Sequence, residues 1–365
     1  MNKVLILMAE RTGTGHKSAA NAIEKRLLSL GCTVKQLNCF PLMGKVGIKM
    51  ENCYIPLTTK HPGIWKISHG FTQIFTDIMH DWIYHRVKKN LLKEINEFKP
   101  DVIISVHCMF TKAVSRLLKK NHLEIPFLIN VIDLVNPPKV WRDRRAQMSF
   151  VPTQVVKDQY LRLGFHPEQL MVSGFPIRED IVPQTSPKEI QDKVHLLMVN
   201  PSINLKKNLI YVRELCQLKN VEIKFVCGRD ERLYQALLNE KANNPQFAKV
   251  QVLGFVSNMP ELLNWAHVLL TKAGPNMLLE GTRSGTAIVV TGHIPGQEAK
   301  NYQYVTTNCC GARCENPRKV RSLVQNWIDT GVLSQYMENA LHAGGNDGAK
   351  MIADYIFDIC QSPML

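Results

Sequence analysis

The feature that most constrains this chain is a regular alternation of short apolar runs with stretches of helical periodicity. In the first half the runs are 4–8, 34–37, 102–106, 127–132 and 148–151, with helical patterns between several of them. In the second half they are 196–199, 223–227, 250–253, 268–271 and 287–291, with helices expected near 207–217, 230–242, 259–265 and 275–284. Short continuous apolar runs suit strands buried on both faces, and their alternation with helices predicts parallel sheets covered on both sides, the α/β class. Residues 179–193 are rich in proline, charge and polar side chains, as linkers are. The expected division is therefore a Rossmann-like domain over 1–178, a linker over 179–193 and a second Rossmann-like domain over 194–345. A final helix over 346–365, with apolar residues at helical spacing, is expected to pack back toward the first domain. Two doubly wound domains would present the carboxyl ends of their strands to a cleft between them, where such sheets bind ligands.

Composition narrows the class further. The chain has 365 residues, 45% of them hydrophobic and 21% charged, enough for two ordinary cores. No run approaches the roughly 18 consecutive apolar residues of a membrane-spanning helix. The opening apolar run is short and enters a glycine loop without a small-residue cleavage site, so it reads as a first strand rather than a leader. Ten cysteines are scattered, without a C-x-x-C pair, which argues against zinc or a disulfide framework and fits a cytoplasmic protein. No metal site is expected. The formal charge of +14 favours anionic partners: nucleic acid, an acidic membrane surface or phosphorylated substrates.

Three segments carry chemistry. After the run at 266–271, Gly274 and Pro275 break the strand and open a helix with proline near its first position. Its free N–H groups and dipole suit a diphosphate, and Glu280, about one turn further in, can accept from ribose hydroxyls. A second segment, Pro295, Gly296, Gln297, Glu298 and Asn301, follows the next strand. The third is the loop from Ala9 to Ala20, where Gly13 and Gly15 allow a tight turn and His16 stands at the start of the first helix. Its spacing is neither a P-loop nor a full dinucleotide fingerprint. His16 is open to two readings, a base for an acceptor hydroxyl or a helix cap and phosphate contact.

Together these segments resemble one family. The stretch from Thr12 to Ala20, Gly228 with Arg229 and Asp230, Gly254 to Val256, Lys272 to Pro275 with Glu280, and Pro295 to Glu298 with Asn301 follow the order seen in monogalactosyldiacylglycerol synthases. Bacterial diacylglycerol glucosyltransferases and the lipid II synthase MurG are similar. The resemblance covers nearly the whole chain, to about residue 315.

It implies a GT-B fold and an inverting, metal-independent glycosyltransferase that moves a hexose, galactose or glucose, from a UDP-sugar to a membrane lipid such as diacylglycerol. The UDP-sugar is substrate, and no cofactor is implied. On this model the backbone at Phe255 and Val256 reads the uracil and Glu280 binds the ribose. Lys272, Gly274, Pro275, Asn276 and Met277 lie around the diphosphate, with Gly15, Asn204 and Gly228 also on the donor. Pro295, Gly296, Gln297, Glu298 and Asn301 form the sugar segment, in which Gln297 and Glu298 hold hydroxyls. His16 is the first choice for the base and Asp133 the second, with His107 and Trp141 on the acceptor side. The chain departs from the family pattern at Asn276 and Met277, at the loop 200–207, at Pro137 and Pro138, and at Cys108 after His107.

Residues 43–92 interleave apolar residues, Trp65 and Trp82 among them, with lysines and Arg86. Such a stretch suits either the headgroup region of an anionic membrane, giving a peripherally associated protein, or a helical insert with a solvated basic face. Nucleic-acid signatures are missing, and no nucleic-acid partner is expected. Two other functions stay open from sequence: a UDP-sugar epimerase of similar fold, and a non-catalytic UDP-sugar sensor suggested by the altered loops.

Overall fold

A computed structural model describes residues 2–12, 14–60, 62–294 and 298–361. The chain divides into two compact units. Among the described residues the first holds those up to Arg178 and those from Asn346 onward; the second is Glu179–Ile294 with Glu298–Gly345.

The first unit runs β1 (Lys3–Met8), α1 (Thr14–Ser29), β2 (Thr33–Asn38), α2 (Lys45–Lys60), α3 (Pro62–Ile74), α4 (Thr76–Phe98), β3 (Val102–Ser105), α5 (Thr111–Lys120), β4 (Phe127–Asn130), β5 (Met148–Val151), α6 (Gln154–Arg162) and β6 (Leu170–Val172). Its six strands are parallel in the order β2-β1-β3-β4-β5-β6. Strands β1, β3, β4 and β5 bury nearly every side chain, which is why they read as unbroken apolar runs. The chain order reverses between β1 and β3, so the loops after these two strands meet at the switch point, where doubly wound sheets bind ligands.

The second unit runs β7 (Val194–Val199), α7 (Leu205–Leu215), β8 (Val221–Val226), α8 (Glu231–Asn243), β9 (Val250–Leu253), α9 (Met259–Trp265), β10 (Val268–Lys272), α10 (Pro275–Arg283), β11 (Ala287–Gly292), α11 (Tyr302–Thr307), β12 (Gly311–Arg313), α12 (Val320–Asp329) and α13 (Val332–Ala343). Its strand order is β12-β11-β10-β7-β8-β9, again parallel, with the reversal between β7 and β10. Helix α10 lies close on β10: a Cβ on Gly281 would come within 2.7 Å of the Leu269 side chain.

The last helix, α14 (Gly348–Gln361), belongs to the first unit. Its Ile352, Ala353 and Ile356 join the core formed by β1, α1, β3 and β5, and Asp347 just before it pairs with Arg26 at 2.8 Å. Burying each isoleucine there is worth about 2–3 kcal/mol of transfer free energy.

One strand, β6, was not expected, whereas β12 stands where Gly311 and Arg313 suggest a short strand beside the clustered cysteines. Strand β6 has three residues, too short to give a periodic signal. The stretch 179–193, expected as a linker, is attached to the second unit. Lys188 Nζ donates to the carbonyls of Leu263 and Ala266, at 2.6 Å each, and to Thr286 Oγ1 at 2.8 Å.

Candidate active site

In the first unit the loops after β1 and β3 bring His16 and His107 together. Their ring centroids are 4.3 Å apart, and both residues are buried. His16 Nδ1 lies 2.7 Å from the Val106 carbonyl oxygen, so it carries the proton and donates, leaving the lone pair on Nε2. His107 is set the other way. Its Nδ1 accepts from the Met109 N–H at 3.3 Å, which places its proton on Nε2, where it donates to Thr12 Oγ1 at 3.3 Å. Burial lowers the His16 pKa to about 4, opposed by the bond to Val106. His107 is pushed well below its usual value, first by burial and then by His16. Both rings are neutral near pH 7.

These two histidines line a cavity of about 450 Å³ whose walls are mainly apolar. Phe40, Val46, Met50, Tyr54, Leu57 and Trp65 form much of it, so helices α2 and α3 supply the part farthest in sequence from the strand ends. The glycine loop is held in place by Glu51 of α2, which is 4% exposed. Its Oε1 accepts from the backbone N–H groups of Glu10 and Arg11 at 2.8 and 3.0 Å, and its carboxylate also takes Asn38 Nδ2. Sequence reasoning missed Glu51. The available signal was that it is the sole carboxylate between Glu24 and Asp77.

Asp133 is 3% exposed and takes the Trp141 indole N–H at 2.6 Å. The Trp141 ring lies 6.3 Å from His16, centre to centre. Asp133 therefore fixes the tryptophan beside His16, and its carboxylate is already engaged. Gly15 sits in the first turn of α1.

In the second unit the strand-end loops gather most of the expected donor residues on the carboxyl edge of the sheet. Asn204 follows β7, Gly228 follows β8, Phe255 and Val256 follow β9, and Lys272 ends β10. Gly274 caps α10, with Pro275 at its first position and Asn276 and Met277 next. Asn276 Oδ1 is buried without a hydrogen-bond partner among the described residues. Glu280, on the same helix, is 7% exposed. Lys272 has its pKa lowered by burial, opposed by the carboxylates of Glu298 and Asp230. The Glu298 pKa is raised by burial, while the Ile294 N–H at 2.9 Å and Lys272 oppose the rise. Gly228 turns the chain after β8 with φ of 63°. Phe255 is 67% exposed and lies under the Arg229 guanidinium, 4.9 Å from the ring centre.

Two of the expected donor residues use one side-chain group within the strand-end loops. The Asn204 side chain accepts from Lys207 N–H and caps α7, and Asn301 Nδ2 donates to the Ala273 carbonyl at 2.9 Å. Pro295, Gly296 and Gln297 lie outside the described residues, as does Gly13. Among the described residues no group of histidine, cysteine, aspartate or glutamate side chains is arranged to hold a metal ion.

Comparison with known proteins gives this arrangement a family. Residues 16–177 match the model of monogalactosyldiacylglycerol (MGDG) synthase, and residues 203–329 match the glycosyltransferase family 28 C-terminal domain. A probable chloroplastic monogalactosyldiacylglycerol synthase of Nicotiana tabacum is 28% identical over 359 residues, covering 89% of this chain; the chain spans 64% of that protein's length. A processive diacylglycerol beta-glucosyltransferase of Bacillus cereus is 28% identical over 318 residues, 83% of this chain and 79% of that protein. Among solved structures, MurG of Acinetobacter baumannii superposes with a TM-score of 0.67 at 17% identity, covering 98% of this chain and 99% of that one. The likeness to MurG shows the fold, two Rossmann-like units of the GT-B type. Residues 16–177 thus belong to the monogalactosyldiacylglycerol synthase domain family and residues 203–329 to the glycosyltransferase family 28 C-terminal domain family, which makes the chain a glycosyltransferase.

Proposed function

We propose that this chain transfers a hexose from a UDP-sugar to the free hydroxyl of a diacylglycerol-like membrane lipid, with inversion and without a metal ion. The observation that carries the reading is His16: a neutral imidazole with its lone pair on Nε2, lining an apolar cavity that can take an acyl chain beside a hydroxyl. In the step, His16 Nε2 takes the proton of the acceptor hydroxyl as its oxygen bonds to the anomeric carbon. The bond from that carbon to the diphosphate breaks, and UDP leaves. Lys272 and the N-terminal turn of α10 stabilise the charge that develops on the leaving diphosphate. Glu280 is assigned to the ribose and Glu298 to the sugar.

The acceptor's lipid nature is supported by the surface of the same helices. Ile67, Ile74 and Ile78 are 64%, 75% and 68% exposed on α3 and α4, and Ile48, Ile55 and Ile64 are also exposed. Exposed isoleucines in this number suit insertion among lipid headgroups, with Lys45, Lys49 and Arg86 on the same helices drawn to anionic lipid. No described helix is long and apolar enough to cross a membrane.

The reading is tested by incubating the protein with UDP-galactose or UDP-glucose and diacylglycerol vesicles, then weighing the lipids by mass spectrometry. A lipid heavier by one hexose, formed together with UDP, supports it. A changed sugar on the nucleotide, or binding without any product, rejects it.

A further inference from the structure

A second cavity of the first unit, of about 540 Å³, is lined by charge. Four cationic side chains converge on it, Lys112 from α5 and Arg142, Arg144 and Arg145 from the loop before β5, against two carboxylates, Asp77 and Asp143. Both carboxylates are already committed. Asp143, 4% exposed, takes the Ser115 hydroxyl and the Arg145 guanidinium at 3.0 and 3.1 Å. Asp77 takes Lys112 at 2.5 Å.

The remaining two cations are not neutralised. Arg144 donates to the Leu163 carbonyl and lies over the Phe165 ring, 5.7 Å from its centre. Arg142 Nε is buried without a hydrogen-bond partner, and neither arginine has an ion pair among the described residues. His80 of α4, facing Lys112, Arg145, Asp77 and Asp143, adds no charge. Burial and Lys112 lower its pKa to about 4, and neither ring nitrogen has a partner among the described residues.

We infer that this cavity binds a phosphate monoester. Four positive and two negative side chains leave two charges uncompensated, and a monoester carries about −1.5 to −2 near pH 7. Its terminal oxygens suit the planar forks of Arg142 and Arg144. Concavity favours a terminal phosphate over the diester of a nucleic-acid backbone. The phosphate belongs to a soluble metabolite or to a lipid headgroup. The site is separate from His16 and its assignment does not rest on the transfer reaction.

Calorimetric titration with inorganic phosphate tests it. The full chain is expected to show saturable binding, weakened about tenfold or more in the Arg142→Gln, Arg144→Gln double variant. Arg142→Lys, which keeps charge but loses the fork, is expected to fall between, and exposed Lys219→Gln on the second unit to bind as the parent does. Thermal melting checks that the variants fold. Vesicles of phosphatidylcholine with phosphatidic acid, a monoester, are compared with vesicles containing phosphatidylglycerol, a diester. A preference for phosphatidic acid that the double variant loses points to the lipid source; saturable phosphate binding without that preference points to the soluble one. Absence of both, or a folded double variant that binds like the parent, overturns the inference.

Discussion

His16 and His107 face each other at 4.3 Å with opposite tautomers, one donating from Nδ1 to Val106 and the other from Nε2 to Thr12. Burial keeps both neutral, and a proton taken by one ring raises the cost of a proton on the other. The acid limb of kcat/KM reports the base in the free enzyme. Since burial lowers the His16 pKa to about 4, activity is expected to stay flat from pH 8 to about 5 and to fall about tenfold per pH unit below 4. A limb near 6.5, the value of a solvated histidine, would show that the base is elsewhere. Protein stable at low pH on the assay timescale is the control.

Glu51 accepts two backbone N–H groups of the glycine loop and the Asn38 amide from within α2. Removing a buried acceptor leaves these donors unpaired, at a cost of about 1–3 kcal/mol. Glu51→Ala is expected to lower stability by that amount in urea unfolding and to reduce kcat, since the loop carries His16. Glu51→Gln, which keeps one oxygen, is expected to recover part of both. Equal kcat in all three proteins would make Glu51 irrelevant to the loop.

The apolar cavity sets a steric test. Leu57 lines it at a distance in sequence from the histidines, so Leu57→Trp should fill space that an acyl chain would use. Expected is a KM for long-chain diacylglycerol raised about tenfold or more, with a smaller change for a short-chain acceptor, since each excluded methylene costs about 0.8 kcal/mol. Affinity for UDP, measured separately, should not move. An equal effect on both chain lengths would place the acyl chains outside this cavity.

On the donor side, Lys272 is half-buried near Glu298. Lys272→Met keeps most of the volume and removes the charge. UDP affinity is expected to fall about tenfold or more, as for a lost charge-assisted contact in a site shielded from water. Calorimetry with UDP reads this directly, and an unchanged Kd would remove Lys272 from the diphosphate.

Much of the fold was legible in the sequence because buried parallel strands write themselves as apolar runs. Ten strands stand where such runs lie, within about two residues at their ends, an error expected for element boundaries. Strand β6 was too short to show a period. The glycine loop, α10 and Lys272 were visible as local motifs. Distant partners were not: Glu51 reaches the loop across about 40 residues, and Val106, which fixes the His16 tautomer, acts through a backbone carbonyl that has no side-chain signature. The bonds that Asn204 and Asn301 make within the strand-end loops were equally hidden, because an asparagine that caps a helix and one that holds a sugar look alike in sequence.

The most direct test of the account is the rate of hexosyl transfer to diacylglycerol vesicles by the parent and by His16→Asn, at saturating UDP-sugar and lipid. The account expects kcat to fall by about 10² or more, the typical contribution of a positioned base, with UDP affinity and melting temperature nearly unchanged. Transfer by a folded His16→Asn within about threefold of the parent would contradict it.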